Sequence, residues 1–204
     1  MQLLDLEQGS DDWLAVRLGI ITASEVGSLL VNGKGERGFG AEALSYMDQL
    51  IGERITGVSA DAFGGNRHTE RGHEMELVAR KLYADTEECR IDQVGIILNH
   101  GIGYSPDGLI GTDGLVEIKS KLPKFQVGVI LAGEIPKEHI AQCQAGLWVS
   151  EREWIDFISY WPGMPLFVKR AYRDEELIAK IQARVLSFYE LLDERMNRVL
   201  GVAA

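Results

Sequence analysis

The chain has 204 residues, 46% of them hydrophobic and 25% charged, with 21 Lys plus Arg against 31 Asp plus Glu and a formal net charge of −10. This balance excludes a disordered or fibrous chain, and the length suits one domain of the usual size of roughly 100–200 residues with a sizeable core. Taken alone, the acidity argues against a nucleic-acid partner, because binding to a phosphate backbone is driven by Lys and Arg. The two cysteines, Cys89 and Cys143, form no CxxC pair and sit beside no His-rich cluster. Neither a disulfide framework nor a structural zinc site is readable, and a reducing cytoplasm fits best. No run approaches the roughly 18 apolar residues that span a membrane, and the start lacks the basic-then-apolar pattern of a targeting segment.

In chain order, Ser10-Asp11-Asp12 caps a short helix through Trp13, Leu14, Val16 and Leu18, and Thr22-Ala23-Ser24-Glu25 reads as the start of a second. The Gly-rich stretch from Asn32 to Gly40 reads as a surface loop. From Ala41 to about Thr56, Leu44, Met47, Leu50, Ile51 and Ile55 keep helical spacing. Met75, Val78, Ala79 and Leu82 do the same from Arg67 to about Tyr83. The character then changes to short apolar or alternating runs from Ile91 to Leu98, Gly103 to Ile110 and Leu115 to Ser120. Turn residues separate them, and the spacing predicts successive antiparallel strands. Helices are expected from Pro123 to about Ala132 and from Lys137 to Val149, the latter with Ile140, Leu147 and Trp148 in the core. Two strands follow, from Trp154 to Tyr160 and Leu166 to Tyr172. A long helix then starts near Asp174-Glu175-Glu176 and carries Leu177, Ile178, Ile181, Val185, Phe188, Leu191 and Leu192 on one side. The pattern predicts a single α/β (α+β) domain over residues 1–204, a central mixed β-sheet flanked by helices.

The most informative segment runs from Tyr104 to Lys121. On a strand Glu117 and Lys119 face one side while Val116 and Ile118 face the other. Asp107 stands at a turn one strand earlier, and a hairpin bending near Thr112-Asp113-Gly114 brings it beside Glu117. Two hard carboxylates can hold Mg²⁺ or Mn²⁺, leaving positions for water and a phosphate oxygen. The metal lowers the pKa of bound water and offsets transition-state charge, while Lys119 positions or activates the water. These are the requirements of phosphodiester hydrolysis. Either half of the hairpin alone reads as an ordinary turn or a solvated strand face.

Together, Pro106-Asp107 and Glu117-Ile118-Lys119 match the signature of the PD-(D/E)XK nuclease superfamily, and the expected core is restriction-endonuclease-like. The run from Gln8 to Ser24 is similar to the opening motif of the lambda-exonuclease-like viral recombinase family, in which an Arg and a Ser seven residues apart bind the 5′-terminal phosphate. Arg17 and Ser24 hold those places. The chemistry suits them, since Arg is a fork donor and Ser24 near a helix start adds a hydroxyl where the dipole favours an anion. The helix from Glu70 to Arg80 resembles the family's helix with an active-site Glu, which maps onto Glu76, with Glu74 and His73 as competitors. Gln142-Cys143-Gln144 resembles the family's Gln-x-Gln element. The two glutamines point in different directions on a helix, and the motif favours Gln144. A supporting role for Asp92 is a weaker reading, and the Gly-rich stretch departs from the pattern.

The resemblance covers residues 8–172. It implies a Mg²⁺-dependent 5′→3′ exonuclease, Mn²⁺ substituting, that digests one strand of linear double-stranded DNA and leaves a 3′ overhang for recombination by strand annealing. In this reading Asp107, Glu117 and the main-chain carbonyl of Ile118 bind metal, Lys119 assists the water and Glu76 supports the site. Arg17, Ser24 and Gln144 grip the DNA. A homotrimeric ring, a single-strand annealing protein as partner and a phage or prophage gene in a bacterial cytoplasm are implied as well. The alternatives are a structure- or site-specific DNA endonuclease of the same superfamily and a non-catalytic DNA-end-binding protein. The charge is then expected to be segregated, acidic outside and basic along the DNA path beside Lys119-Ser120-Lys121-Leu122-Pro123-Lys124.

Overall fold

The structure, a computed structural model, describes residues 1–60 and 67–201, with the backbone alone for 67–71 and 73. A short strand β1 (Gln2–Leu4) leads into helix α1 (Asp11–Arg17), whose N-cap Ser10 accepts a hydrogen bond from the Trp13 N–H at 3.3 Å. Asp11 and Asp12 stand in its first turn, where their charge complements the helix dipole. Strand β2 (Ile21–Thr22) is followed by a single 3-10 turn, Ala23–Glu25, and by the one-turn helix α2 (Val26–Leu29). The Gly-rich stretch is more than a surface loop. Asn32 bridges Phe39, and the fully buried Phe39 ring meets Phe188 edge-on at 5.7 Å. Burying such a side chain is worth about 1.5–3 kcal/mol, which fastens the stretch to the core.

Helices α3 (Ala41–Thr56) and α4 (Arg67–Thr86) precede strands β3 (Ile96–Asn99) and β4 (Ile102–Tyr104). The expected strand from Gly103 to Ile110 is broken at Ser105-Pro106-Asp107, because proline supplies no ladder donor, and resumes as β5 (Gly108–Ile110). Strand β6 (Gly114–Lys119), helices α5 (Pro123–Ala132) and α6 (Lys137–Ser150), strands β7 (Trp154–Ser159) and β8 (Phe167–Tyr172), and helix α7 (Glu175–Val199) complete the described chain. Asp174 caps α7 by accepting from the Leu177 N–H at 3.0 Å.

The sheet is mixed, as the sequence implies, and it is divided. One four-stranded sheet has the order β1-β3-β4-β2, with β2 parallel to β4, and the other has the order β5-β6-β7-β8, with β6 parallel to β7. Asp92, before β3, bridges Leu109 of β5 and straps the two together. α6 packs between β3 and β4 on one side and α2 and α7 on the other. The larger core gathers α2, α3, α6, α7 and the inner residues Leu115, Ile155 and Phe157; a smaller one places Val116, Ile118 and Ile158 under Ala79 and Tyr83 of α4. Leu147 and Trp148 are buried as expected, but Ile140 is 37% exposed. Among the described residues no helix is long and apolar enough to cross a membrane.

Candidate functional site

β6 is paired with β7 along its length and with β5 as far as Val116, and it is buried on both faces, so its alternation sends Leu115 and Glu117 toward α6 and Val116 and Ile118 toward α4. The β5–β6 hairpin pairs Gly108 with Val116, which sets Asp107 opposite Glu117. Asp107 is fixed at both ends: its main-chain N–H donates to the Val116 carbonyl at 3.1 Å, and its Oδ2 accepts from the Ile118 N–H at 2.5 Å.

Glu117 is 2% exposed. Its Oε1 accepts from Lys119 Nζ at 2.7 Å and from Gln142 Nε2 at 2.5 Å, and its Oε2 from the Tyr104 hydroxyl at 3.2 Å. Behind Asp107, Arg80 of α4 donates from Nε to the Asp107 main-chain carbonyl at 2.7 Å and pairs through Nη2 with Glu76. One arginine thereby ties the helical carboxylate to the hairpin.

Burial, and then the negative charges of Glu117 and Glu76, push the Asp107 carboxyl well above the usual carboxylate range, against the opposing pull of Lys119 and the Ile118 N–H. Burial works against the Lys119 ammonium, yet Glu117 and Asp107 outweigh it and hold that group protonated. Tyr104 is pushed up by burial and by Glu117, so its hydroxyl stays a donor. The crowding of carboxylates around Asp107 is what a divalent cation relieves. Among the described residues no group of three or more His, Cys, Asp and Glu side chains is arranged to hold a metal. A cation here would therefore rest on Asp107, Glu117 and a main-chain oxygen and keep water or substrate oxygens elsewhere, as Mg²⁺ does. The donors fit. A carboxylate offers about four acceptor positions, of which Glu117 uses three. The Ile118 carbonyl shares the strand edge of its N–H, which faces Asp107.

The other expected residues fall into two groups. Gln8 Nε2 donates to the Pro106 carbonyl at 3.2 Å, and Trp13 Nε1 to Ser105 Oγ at 3.0 Å, so the N-terminal motif is bolted to the turn that carries Asp107. Arg17, the last residue of α1, lays its guanidinium over the Trp13 ring 4.0 Å from the centroid. It lines a cavity of ≈ 350 Å³ together with Glu25, Glu42 and Glu53. Ser24 is exposed in the 3-10 turn that packs on α6, with its Oγ 3.0 Å from Thr22 Oγ1. That single turn supplies no helix dipole, so the hydroxyl itself is what Ser24 offers.

The structure does not bring Gln144 to the carboxylates. Its Nε2 donates to the Tyr172 carbonyl at 2.8 Å and its Oε1 accepts from the Asp174 N–H at 2.8 Å, joining α6 to the start of α7 and away from Glu117. Gln142, two residues earlier, is the glutamine at the carboxylates. Glu74 is exposed, and the His73 side chain lies outside the described residues. Asp92 bridges Leu109 through its main chain and pairs with Arg90 at 2.7 Å, strapping the two sheets together. The residues the sequence reading missed are Tyr104 and Arg80. The i, i+4 spacing of Arg80 to Glu76 was a signal for the second; nothing local pointed to the first.

The mixed-sheet α+β fold that carries this hairpin is shared with exonucleases of known structure. The chain matches the alkaline exonuclease LHK-Exo of Laribacter hongkongensis at 34% identity, covering 93% of this chain and 96% of that one with a TM-score of 0.83. The same protein in complex with dAMP matches at 33% identity with a TM-score of 0.84, over 93% and 96% of the two chains. A phage-related exonuclease from Haemophilus somnus 129PT shares the fold at 18% identity, with a TM-score of 0.68 over 88% of this chain and 96% of that one. No curated protein matches the chain. The YqaJ-like viral recombinase domain matches residues 12–153, and the chain belongs to that family.

Proposed function

We propose that the protein is a Mg²⁺-dependent 5′→3′ exonuclease acting on the ends of double-stranded DNA. The observation that carries this reading is the convergence of Asp107, Glu117 and Lys119 on one hairpin, with Gln142 and Arg80 holding it from two different helices. Likeness to an alkaline exonuclease over nearly the whole chain supports it. Asp107, Glu117 and the Ile118 carbonyl would hold the cation. When bound, Mg²⁺ acidifies water and offsets charge on the phosphoryl group.

The rest of the chemistry belongs to the chain. Lys119 stays protonated and places its positive charge where the phosphoryl oxygens gain charge. Gln142 and Tyr104 fix the Glu117 carboxylate so that it does not rotate when the substrate arrives. Glu76, anchored by Arg80, closes the α4 side. Arg17 and Ser24 grip the 5′-phosphate, which decides the bond cleaved. A clamp for a 5′-phosphate is reusable only if each cut leaves a 5′-phosphate on the shortened strand. Water therefore adds to phosphorus and the bond to the 3′ oxygen of the departing nucleotide breaks. A ring of three copies, an annealing protein as partner and a phage or prophage origin belong to the same proposal; sedimentation velocity tests the first.

The deciding experiment incubates the protein with Mg²⁺ and three substrates: a linear duplex with 5′-phosphates, the same duplex with 5′-hydroxyls, and a closed circle. Shortening of the 5′-phosphorylated strands alone is expected. Asp107→Ala and Lys119→Ala are expected to abolish digestion, with circular dichroism unchanged. Nicking of the circle, or full activity in either variant, overturns the assignment.

A further inference from the structure

Helix α5 is built unlike its neighbours. Its sequence is almost wholly apolar, yet only Gln126 is buried, holding the Ser159 and Pro165 carbonyls at 3.0 and 2.9 Å and accepting from the Ser159 hydroxyl at 2.6 Å. One polar side chain pins the helix to the end of β7, and the ring of Phe125 is left 47% exposed. Two cations attend that ring: Lys124 Nζ lies 4.9 Å and Lys121 Nζ 5.8 Å from its centroid. Beside it lies an apolar groove of ≈ 390 Å³, walled by Gly128, Val129 and Ile135.

The charge is out of place twice. Residues 119–124 carry three lysines and no acid in a chain of net charge −10. The first turn of α5 holds Lys124 and no Asp or Glu, and its N-cap makes no side-chain hydrogen bond. A cation at a helix N-terminus is unfavourable, and an apposed anion reverses that. Lys121 is already paired with Glu138 at 3.0 Å, so it is held beside the ring. An exposed aromatic ring between two lysines is the arrangement that receives an unpaired base and its flanking phosphates.

We propose that Phe125, Lys121 and Lys124 form a stacking platform for single-stranded DNA, one base on the ring and the adjacent phosphates on the two ammonium groups. It begins two residues beyond Lys119, so it would engage the strand as it frays at the catalytic hairpin. This rests on the nuclease reading for its biological use but not for its test.

The test is fluorescence anisotropy of the full chain with a labelled single-stranded oligonucleotide in EDTA, where no digestion occurs. Phe125→Ala is expected to weaken binding about tenfold, since stacking is worth about 1–3 kcal/mol per base. Phe125→Leu, which keeps the apolar bulk, is expected to weaken it equally, and Phe125→Trp to restore it. Lys121→Ala with Lys124→Ala is expected to flatten the salt slope by about 1.4, at about 0.7 per single-strand phosphate contact. If Phe125→Leu binds like the native chain, or if Phe125→Ala changes the sedimentation coefficient instead of the affinity, the platform is overturned and the ring packs against protein. Loss of digestion on duplex ends with this binding pattern intact would instead count against the nuclease reading.

Discussion

Two glutamines two residues apart on α6 do different work. Gln142 reaches Glu117, whereas Gln144 joins the Tyr172 carbonyl and the Asp174 N–H. Gln142→Ala is expected to lower the rate of digestion at least tenfold with the melting temperature little changed, because it frees the Glu117 carboxylate to rotate. Gln144→Ala strands two main-chain groups, at about 1–3 kcal/mol for buried unsatisfied ones, so it is expected to lower the melting temperature and spare the rate per folded molecule. His139, one turn before Gln142, stacks on Phe157 with centroids 5.4 Å apart. Burial, then Lys119 and Lys121, pushes its pKa from 6.5 down to about 4. The unfolded chain therefore binds the proton first as pH falls. The stability from neutral His139 is complete above about pH 6.5 and drains away between 6.5 and about 4. His139→Phe is expected to gain on the native chain in urea midpoint across that window, and parallel midpoints would refute it. At this scale Asp107, Glu117 and Lys119 were legible because a hairpin is local: strand alternation and turn position fix all three. The choice between Gln142 and Gln144 was not, because the phase of a helix against a distant strand is set by packing.

The placement of Glu76 and Arg80 depends on how α4 docks. Tyr83 donates its hydroxyl to Asp156 of β7, a residue 2% exposed, which is also gripped by Arg170 through Nε and Nη2, each at 2.8 Å. The Arg170 guanidinium lies 3.6 Å from the Trp154 ring centroid. Breaking a buried ion pair costs about 3–5 kcal/mol. The Arg170 side chain keeps 41% of its exposure, and solvent screening lowers the expectation for Asp156→Ala to about 2–3 kcal/mol by urea unfolding. Tyr83→Phe is expected to lose about 1 kcal/mol, and the double variant less than the sum, since both changes empty one network. The long elements α3, α5, α6 and α7 were legible from apolar spacing and from proline and the Asp174 cap. β1 and β2, three and two residues long, were missed because so short a run carries no periodicity. The division into two sheets escaped notice because pairing partners are chosen in three dimensions.

Across the whole molecule, the net charge of −10 opposes long-range attraction to DNA. Lys119, Lys121 and Lys124 follow one another off the end of β6, while Arg17 shares its cavity with three glutamates. Around Arg17 the lining is acidic, unlike the segregation expected from the sequence. With Arg17 and these three lysines as the phosphate contacts, the affinity for a linear duplex in EDTA is expected to fall with log salt at a slope of about −3 to −4, at about 0.9 per contact. A slope near −8 would mean a second basic surface.

The position of β6 has a kinetic corollary. A strand paired along its length with β7, joined to β5 as far as Val116 and to the Asp107 side chain beyond it, and buried on both faces exposes its amides only when these neighbours and two helices open together. In deuterated buffer the amides of Val116 to Lys119 are expected to exchange last, at the rate of global unfolding, while those of α5, held by Gln126, exchange early. The carboxylates would then keep their spacing through every partial opening of the fold, and the surface proposed to meet the single strand would be the part free to yield.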